Sequence, residues 1–187
     1  MAVLHIKNMV CDRCKMAVQS QIESLGLKAG KIELGEIEII GEPTPDQHSA
    51  LSENLQKIGF EVIDNSAART VEKIKNAIVE LVHYSQEDMK TNHSDYIAEK
   101  LGKDYTYLSN LFSESEGTTI EKYIIRQKIE RVKELLEYGE LTLSEIAYRV
   151  GYSNVAYLSG LFKKITGITP SQFKAGNKKE RTQLDKL

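Results

Sequence analysis

Two hydrophobic rhythms divide the chain. Over residues 2–63 short runs alternate apolar and polar positions: Leu4 and Ile6 in 2–7, then Ile32 and Leu34 before Gly35, and Ile37 and Ile39 after it. Alternation at period two predicts half-buried strands, with 31–40 a very tight hairpin or a pair of short strands and 60–63 a final strand. Between them lie two stretches at helical spacing. One carries Ala17, Val18, Ile22 and Leu25 and stops at Gly26; the other carries Leu51, Leu55 and Ile58 and stops at Gly59. Thr44-Pro45-Asp46-Gln47 opens the second with a capping box and a proline at the first helical position. The resulting β-α-β-β-α-β order predicts a ferredoxin-like split βαβ domain over residues 1–64.

Beyond a short polar linker, 64–69, only the 3.6-residue rhythm remains. Val71, Ile74, Ile78, Leu81 and Val82 predict a helix over 67–84. Ile125, Ile129, Val132 and Leu136 predict another, opened by a capping box Thr118-Thr119-Ile120-Glu121 and ended by Gly139. Thr142-Leu143-Ser144-Glu145 opens a short helix with Ile146, Ala147 and Val150 on one face. Gly151 breaks it. Ser153 starts the next helix, whose expected stripe is Val155, Leu158, Leu161, Phe162 and Ile165. Gly167 closes that helix, and Thr169-Pro170 starts a last short one. Two short helices joined by a tight glycine turn make a helix-turn-helix, whose second helix is shaped to enter a DNA major groove.

The motif occurs twice. Ile97, Ala98 and Gly102 match Ile146, Ala147 and Gly151. After a one-residue difference in the turn, Tyr107, Leu108, Ser109, Leu111, Phe112, Gly117 and Thr119 match Tyr157, Leu158, Ser159, Leu161, Phe162, Gly167 and Thr169. The repeat organises residues 65–177, and a polar tail without an apolar stripe, 178–187, is expected to fray. The helix between the repeats has about twenty residues, or ~30 Å at ~1.5 Å each. One turn of B-DNA is ~34 Å, so a rigid connector of that length holds two recognition helices in successive major grooves.

Charge sharpens this picture. The whole chain has a net charge of −2. Residues 1–63 hold six Lys/Arg against nine Asp/Glu, and residues 64–187 nineteen against eighteen. Within 146–179 no acidic residue opposes Arg149, Lys163, Lys164, Lys174, Lys178 and Lys179. A local basic block on a helix-turn-helix is the electrostatic footprint of an anionic partner. No long apolar run predicts a membrane span and no signal-peptide pattern is present, so a cytoplasmic location is expected. No Ser/His/Asp set, phosphate loop or carboxylate pair stands at a recognisable spacing, so an enzyme is not expected.

The two cysteines, Cys11 and Cys14, form one CxxC in a loop running into a helix. In a reducing compartment that pattern points to metal or redox chemistry rather than a disulfide framework. Thiolates select Cu(I) or Zn(II) over hard ions. The following helix N-terminus and Arg13 are expected to lower the thiol pKa. Three readings stay open: a metal-sensing input, a thiol redox switch, and inert thiols in a domain that only dimerises or supports its neighbour. His5, His48, His83 and His93 show no paired ligand spacing.

Residues 67–175 resemble the DNA-binding domain of AraC-type transcriptional regulators, most strongly over LSEIAYRVGYSNVAYLSGLFKKITGITPSQFK at 143–174. The resemblance implies an all-α domain of seven helices with two helix-turn-helix units, sequence-specific binding to double-stranded DNA at promoters, and contact with RNA polymerase as a common mode of action. Groove-facing positions then fall on Tyr105, Thr106, Ser109, Asn110 and Ser113 in the first unit. In the second they fall on Asn154, Val155, Ala156, Ser159, Gly160 and Lys163, with Lys163 and Lys164 expected to reach phosphates. Asn110 and Gly160 stand where that family often has arginine. With Asp104, Glu114 and Glu116 in the first unit, the second is expected to contribute more affinity.

Met9-Val10-Cys11-Asp12-Arg13-Cys14 is similar to the MxCxxC loop of heavy-metal-associated domains. That resemblance implies Cys11 and Cys14 as ligands of a soft ion, Cu(I) before Zn(II), with Met9 packing beneath and Phe60 near the loop. Asn8 stands where those domains usually have glycine, and strands two and three look short for the family. Two thiolates leave Zn(II) short of ligands unless a partner or a second chain, as in a homodimer, completes the site. The rival reading is a metallochaperone whose helical part docks a protein partner.

Overall fold

The computed structural model describes residues 2–84, 92–176 and 181–186. Two compact units divide after Asn76. Against the expected boundary at 64/65, the first unit thus includes most of an additional helix. The expected linker shrinks correspondingly: helix α3 (Ser66–Val79) begins at Ser66, where Asn65 Oδ1 accepts the Ala67 N–H at 2.7 Å.

The first unit runs β1 (Ala2–Lys7), α1 (Asp12–Ser24), β2 (Lys28–Glu33), β3 (Glu36–Ile40), α2 (Pro45–Lys57), β4 (Glu61–Val62) and then α3. Its sheet order is β2-β3-β1-β4, with every pair antiparallel. That is the split βαβ order expected from the pattern. Hairpin β2–β3 turns on Leu34-Gly35 and pairs Glu33 with Glu36. Strand β2 starts three residues earlier than the alternation suggested, because a register shift between Ala29 and Ile32 breaks the period. The two strands have six and five residues and are not truncated. Leu4, Ile6, Met9, Val18, Ile22, Ile37, Ile39, Leu51 and Leu55 close the core. The Thr44/Gln47 capping box forms as expected.

From α3 onward the described chain is helical. A π-helical turn, Glu80–Tyr84, extends α3. Then come α4 (His93–Leu101), α5 (Tyr105–Glu116), α6 (Ile120–Tyr138), α7 (Leu143–Arg149), α8 (Val155–Thr166) and α9 (Pro170–Lys174). Seven α-helices, α3 to α9, match the expected number. Ile129, Val132, Leu136, Ile146, Val150, Leu158, Phe162 and Phe173 form one shared core around α6, α7, α8 and α9.

Four local expectations change. Helix α8 starts at Val155 with Asn154 as its cap, since the Asn154 side chain accepts the Tyr157 N–H. Ile165 is 42 % exposed and lies outside the buried stripe. Thr119, not Thr118, caps α6, so the third helical position falls on Lys122 and no box closes; Glu121 accepts the Tyr105 hydroxyl. Helix α6 is buried nearly all round: Gln127, Lys128, Glu130 and Lys133 join its apolar residues below one-tenth exposure.

That polar burial explains a fifth change. Buried polar groups need partners. Residues 181–186 supply them instead of fraying: the Thr182 N–H donates to Glu130 Oε2 at 3.3 Å, Gln127 Nε2 donates to the Leu184 carbonyl at 3.2 Å, and Arg181 pairs with Glu137. The rest of the expected tail, 178–180 and 187, lies outside the described residues.

Candidate nucleic-acid interface

Helices α5 and α8 are built to one plan. From the first helical residue to the buried phenylalanine, 105–112 and 155–162, the order of half-buried, exposed and buried positions is identical. Leu108 and Leu158 point inward, as do Phe112 and Phe162. Each phenylalanine meets an aromatic ring on the next helix edge-on, Phe112 with Tyr123 at 5.5 Å and Phe162 with Phe173 at 5.7 Å. Such pairs fix the tilt of a helix as well as its burial. Asp104 and Asn154 cap the two helices, each accepting the N–H of the tyrosine three residues on. Gly117 and Gly167 end them in the left-handed conformation.

The outward faces carry the sequence-predicted positions. Thr106 and Asn110 on α5, and Ala156, Gly160, Lys163 and Lys164 on α8, are exposed. Ser109, Ser113, Val155 and Ser159 are half-buried on the flanks. Two candidates have other engagements. Tyr105 is half-buried and its hydroxyl donates to Glu121 at 2.6 Å, so burial and that carboxylate push its pKa up. Asn154 uses its Oδ1 in the cap, which leaves only the amide N–H₂ for a base edge and removes bidentate pairing with adenine.

The pattern hid two residues on this surface. Tyr107 and Tyr157 occupy the same register in both helices and are 50 % and 57 % exposed. Lys103 lies over the Tyr107 ring at 5.4 Å. The signal was available: the repeat pairs these tyrosines, and each falls one residue before the inward leucine.

Helix α6 sets the separation. Its nineteen residues span roughly 28 Å at ~1.5 Å per residue. Thr142 caps α7 with a closed box, its hydroxyl accepting the Glu145 N–H while Glu145 accepts the Thr142 N–H at 2.7 Å. The Tyr152 ring covers the Lys128 ammonium at 5.1 Å, and burial lowers the Lys128 pKa to about 8. Of the basic block, Arg149, Lys163, Lys164 and Lys174 are exposed; Lys178 and Lys179 lie outside the described residues.

The cysteine loop is a separate candidate, in the first unit. Cys11 and Cys14 Sγ stand 3.2 Å apart in hydrogen-bond contact. Burial opposes the Cys11 thiolate, but hydrogen bonds from Cys14 and the backbone and the Arg13 charge bring its pKa below the usual thiol value. Cys14 goes the other way, raised chiefly by burial; the helix N-terminus and Arg13 therefore activate only one of the pair. Met9 is fully buried beneath the loop and Phe60 nearly so. No cluster of three or more His, Cys, Asp or Glu residues able to hold an ion exists among the described residues. The donor set is two soft sulfurs, which fits a two-coordinate thiophilic ion and leaves a tetrahedral Zn(II) short of ligands. The two sulfurs must part to admit either.

A family model described as a helix-turn-helix domain matches residues 97–176. The Msm operon regulatory protein of Streptococcus mutans is 31 % identical over 126 residues, covering 67 % of this chain and 43 % of that protein. The xylose operon regulatory protein of Escherichia coli is 28 % identical over 107 residues, covering 54 % of this chain and 26 % of that protein. The chain thus spans less than half the length of these relatives. Among solved structures, the C-terminal domain of AraT, a response regulator from Geobacillus stearothermophilus, superposes with a TM-score of 0.50 at 30 % identity, covering 59 % of this chain and 88 % of that one. Among the described residues no helix is long and apolar enough to cross a membrane.

Proposed function

The chain belongs to the AraC-type helix-turn-helix regulators, and on that premise we propose that it is a sequence-specific regulator of transcription whose input is the Cys11/Cys14 pair. The observation that carries the DNA reading is the repeated register of α5 and α8, two capped recognition helices set on one buried connector. Members of this family bind double-stranded DNA as transcription regulators. Here Lys163 and Lys164 hold phosphates, which fix affinity and register without reading sequence. Thr106, Ser109 and Asn110 from α5, and Val155, Ala156 and Ser159 from α8, face the base edges. Asn110 offers a bidentate pairing to adenine, and Ala156 and Val155 offer apolar contact to a thymine methyl. One chain supplies both recognition helices, so a homodimer is not needed to span two grooves. Contact with RNA polymerase at a promoter would turn binding into regulation, and such a partner places the protein in the cytoplasm with the chromosome.

The input reading rests on the loop chemistry: two soft donors side by side, one activated, at a helix N-terminus. Cys11 and Cys14 would hold a soft monovalent ion such as Cu(I), which would offset one of the two thiolate charges. Reversible thiol oxidation is the competing use of the same pair. Selection of bound duplexes from a random pool, followed by sequencing, tests the DNA reading. Two half-sites about one helical turn apart are expected; a pool with no enriched motif refutes it.

A further inference from the structure

Asn8 is the one non-glycine residue among those described whose backbone lies in the left-handed region, at φ 72°. A Cβ disfavours that conformation, and asparagine tolerates it best. The position is held from two sides. The Asn8 side-chain amide donates to the Gly59 carbonyl at 2.9 Å, and its backbone N–H donates to Glu72 Oε1 at 2.8 Å. Glu72 is a carboxylate on α3 with only 6 % exposure. The same stretch of α3 grips the neighbouring hairpin: Asn76 Nδ2 donates to the Leu34 carbonyl at 3.0 Å, and Lys73 pairs with Glu36 at 2.8 Å. Gly35 lies at φ 78°, where L side chains are strained, and a Cβ there would lie 2.3 Å from Asn76 Nδ2 and displace that amide.

We infer that Asn8 and Glu72 form a strut that reports the state of the Cys11/Cys14 loop to helix α3. The inference rests on the cysteine pair being the input. Admitting an ion between two sulfurs in contact shifts the loop backbone. Two residues separate Asn8 from Cys11, and Met9 between them is fully buried and cannot yield sideways. The displacement is therefore passed to the Asn8 peptide. Its N–H donates to a buried carboxylate, so opening that bond costs a charge-assisted hydrogen bond in a poorly solvated place. Glu72 must follow the loop, and α3 with it. Helix α3 continues to Val79, past the division after Asn76, so its first turns belong to one unit and its last to the other. Asn8 and Glu72 are positioning residues in this scheme, not ligands.

The test uses the full chain, a duplex from the selection above, and Cu(I) delivered anaerobically with its affinity read by competition against a chromophoric chelator. In the wild type, Cu(I) changes duplex affinity by about fivefold or more. Glu72→Ala keeps the wild-type affinity for Cu(I), but the change in duplex affinity falls below about twofold. Glu72→Gln retains an oxygen acceptor for the Asn8 N–H and restores the wild-type change. A full wild-type change in Glu72→Ala, or no rescue by Glu72→Gln, overturns the strut alone. Absence of any change in the wild type overturns the input reading and the strut together, while enrichment of a motif leaves the DNA reading standing. If Glu72→Ala does not fold, amide exchange over 68–79 in the wild type decides: altered protection on adding Cu(I) supports the strut, and unchanged protection overturns it.

Discussion

Helices α5 and α8 occupy the same frame and present different chemistry to their surroundings. Both are capped by a side chain accepting from a tyrosine N–H, both bury a leucine and a phenylalanine, and both stack that phenylalanine edge-on against the next helix. Their surfaces diverge. The first has an anionic cap, Asp104, and ends in Glu114 and Glu116; the second has a neutral cap, Asn154, and ends in Lys163 and Lys164. The packing positions of the repeat are thus kept while the outward charge is not. A duplicated scaffold can assign reading to one copy and gripping to the other, because phosphate affinity and base selection depend on different side chains.

The comparison breaks most visibly in the cores. Phe162→Ala and Phe112→Ala should each lower unfolding free energy by about 3–5 kcal/mol, since both rings are fully buried. Denaturant unfolding compares them, and a much smaller loss in one would show that its frame is not equivalent to the other.

Acid should separate the two halves next. His83 sits against Gln127 on the first half of α6, its Nε2 donating to Gln127 Oε1 at 3.0 Å because the Gln127 amide is already spent on Tyr123 and Leu184. Burial lowers its pKa to about 4, against an ordinary 6.5. The unfolded chain therefore binds a proton between these values that the folded chain refuses. The stabilisation is complete above pH 6.5 and is lost as pH falls toward 4, by at most a few kcal/mol. The second helix-turn-helix, residues 142–167, contains no histidine. Unfolding midpoints measured from pH 7.5 to 4.5 should fall in the wild type and flatten in His83→Gln.

Charge is the third axis. Lys163→Ala with Lys164→Ala should cost about tenfold in duplex affinity and reduce the salt slope by about two. Ser113→Lys, at the position equivalent to Lys163, should steepen the slope by about one. Unchanged binding in the double variant would assign the grip to the first helix-turn-helix. The smallest effect is expected at Gly160, where a Cβ meets nothing within 4 Å. Gly160→Arg should stabilise α8 by up to ~1 kcal/mol and shift selected duplexes toward guanine at one position.

Much of this was legible beforehand, for identifiable reasons. Strand alternation around Gly35, the capping boxes at Thr44 and Thr142, and the repeat of Leu108/Phe112 at Leu158/Phe162 are local signals, and each appears where the pattern put it. The misreadings come from groups distant in sequence. Glu121 looked like a box partner for Thr118, but the cap falls one residue later, on Thr119, and Tyr105, sixteen residues away, donates to the Glu121 carboxylate. Tyr105 looked like a base reader for the same reason. The tail looked loose because its own residues carry no stripe, while Gln127 and Glu130 more than fifty residues earlier needed its backbone. No periodicity encodes such a demand.

The sequence by itself determined the order of elements, the doubled recognition helix, its inward residues and the presence of a cysteine pair before a helix. Those follow from hydrophobic period and cap chemistry, which act within a few residues. Only the tertiary structure decided that the Asn154 side-chain oxygen is spent on a cap, that one thiol is activated and its neighbour suppressed, that α6 buries charged side chains, and that Glu72 reaches the loop before Cys11. Each depends on burial and on which polar groups meet across the fold, because a buried donor or carboxylate takes whatever partner the packing brings within reach.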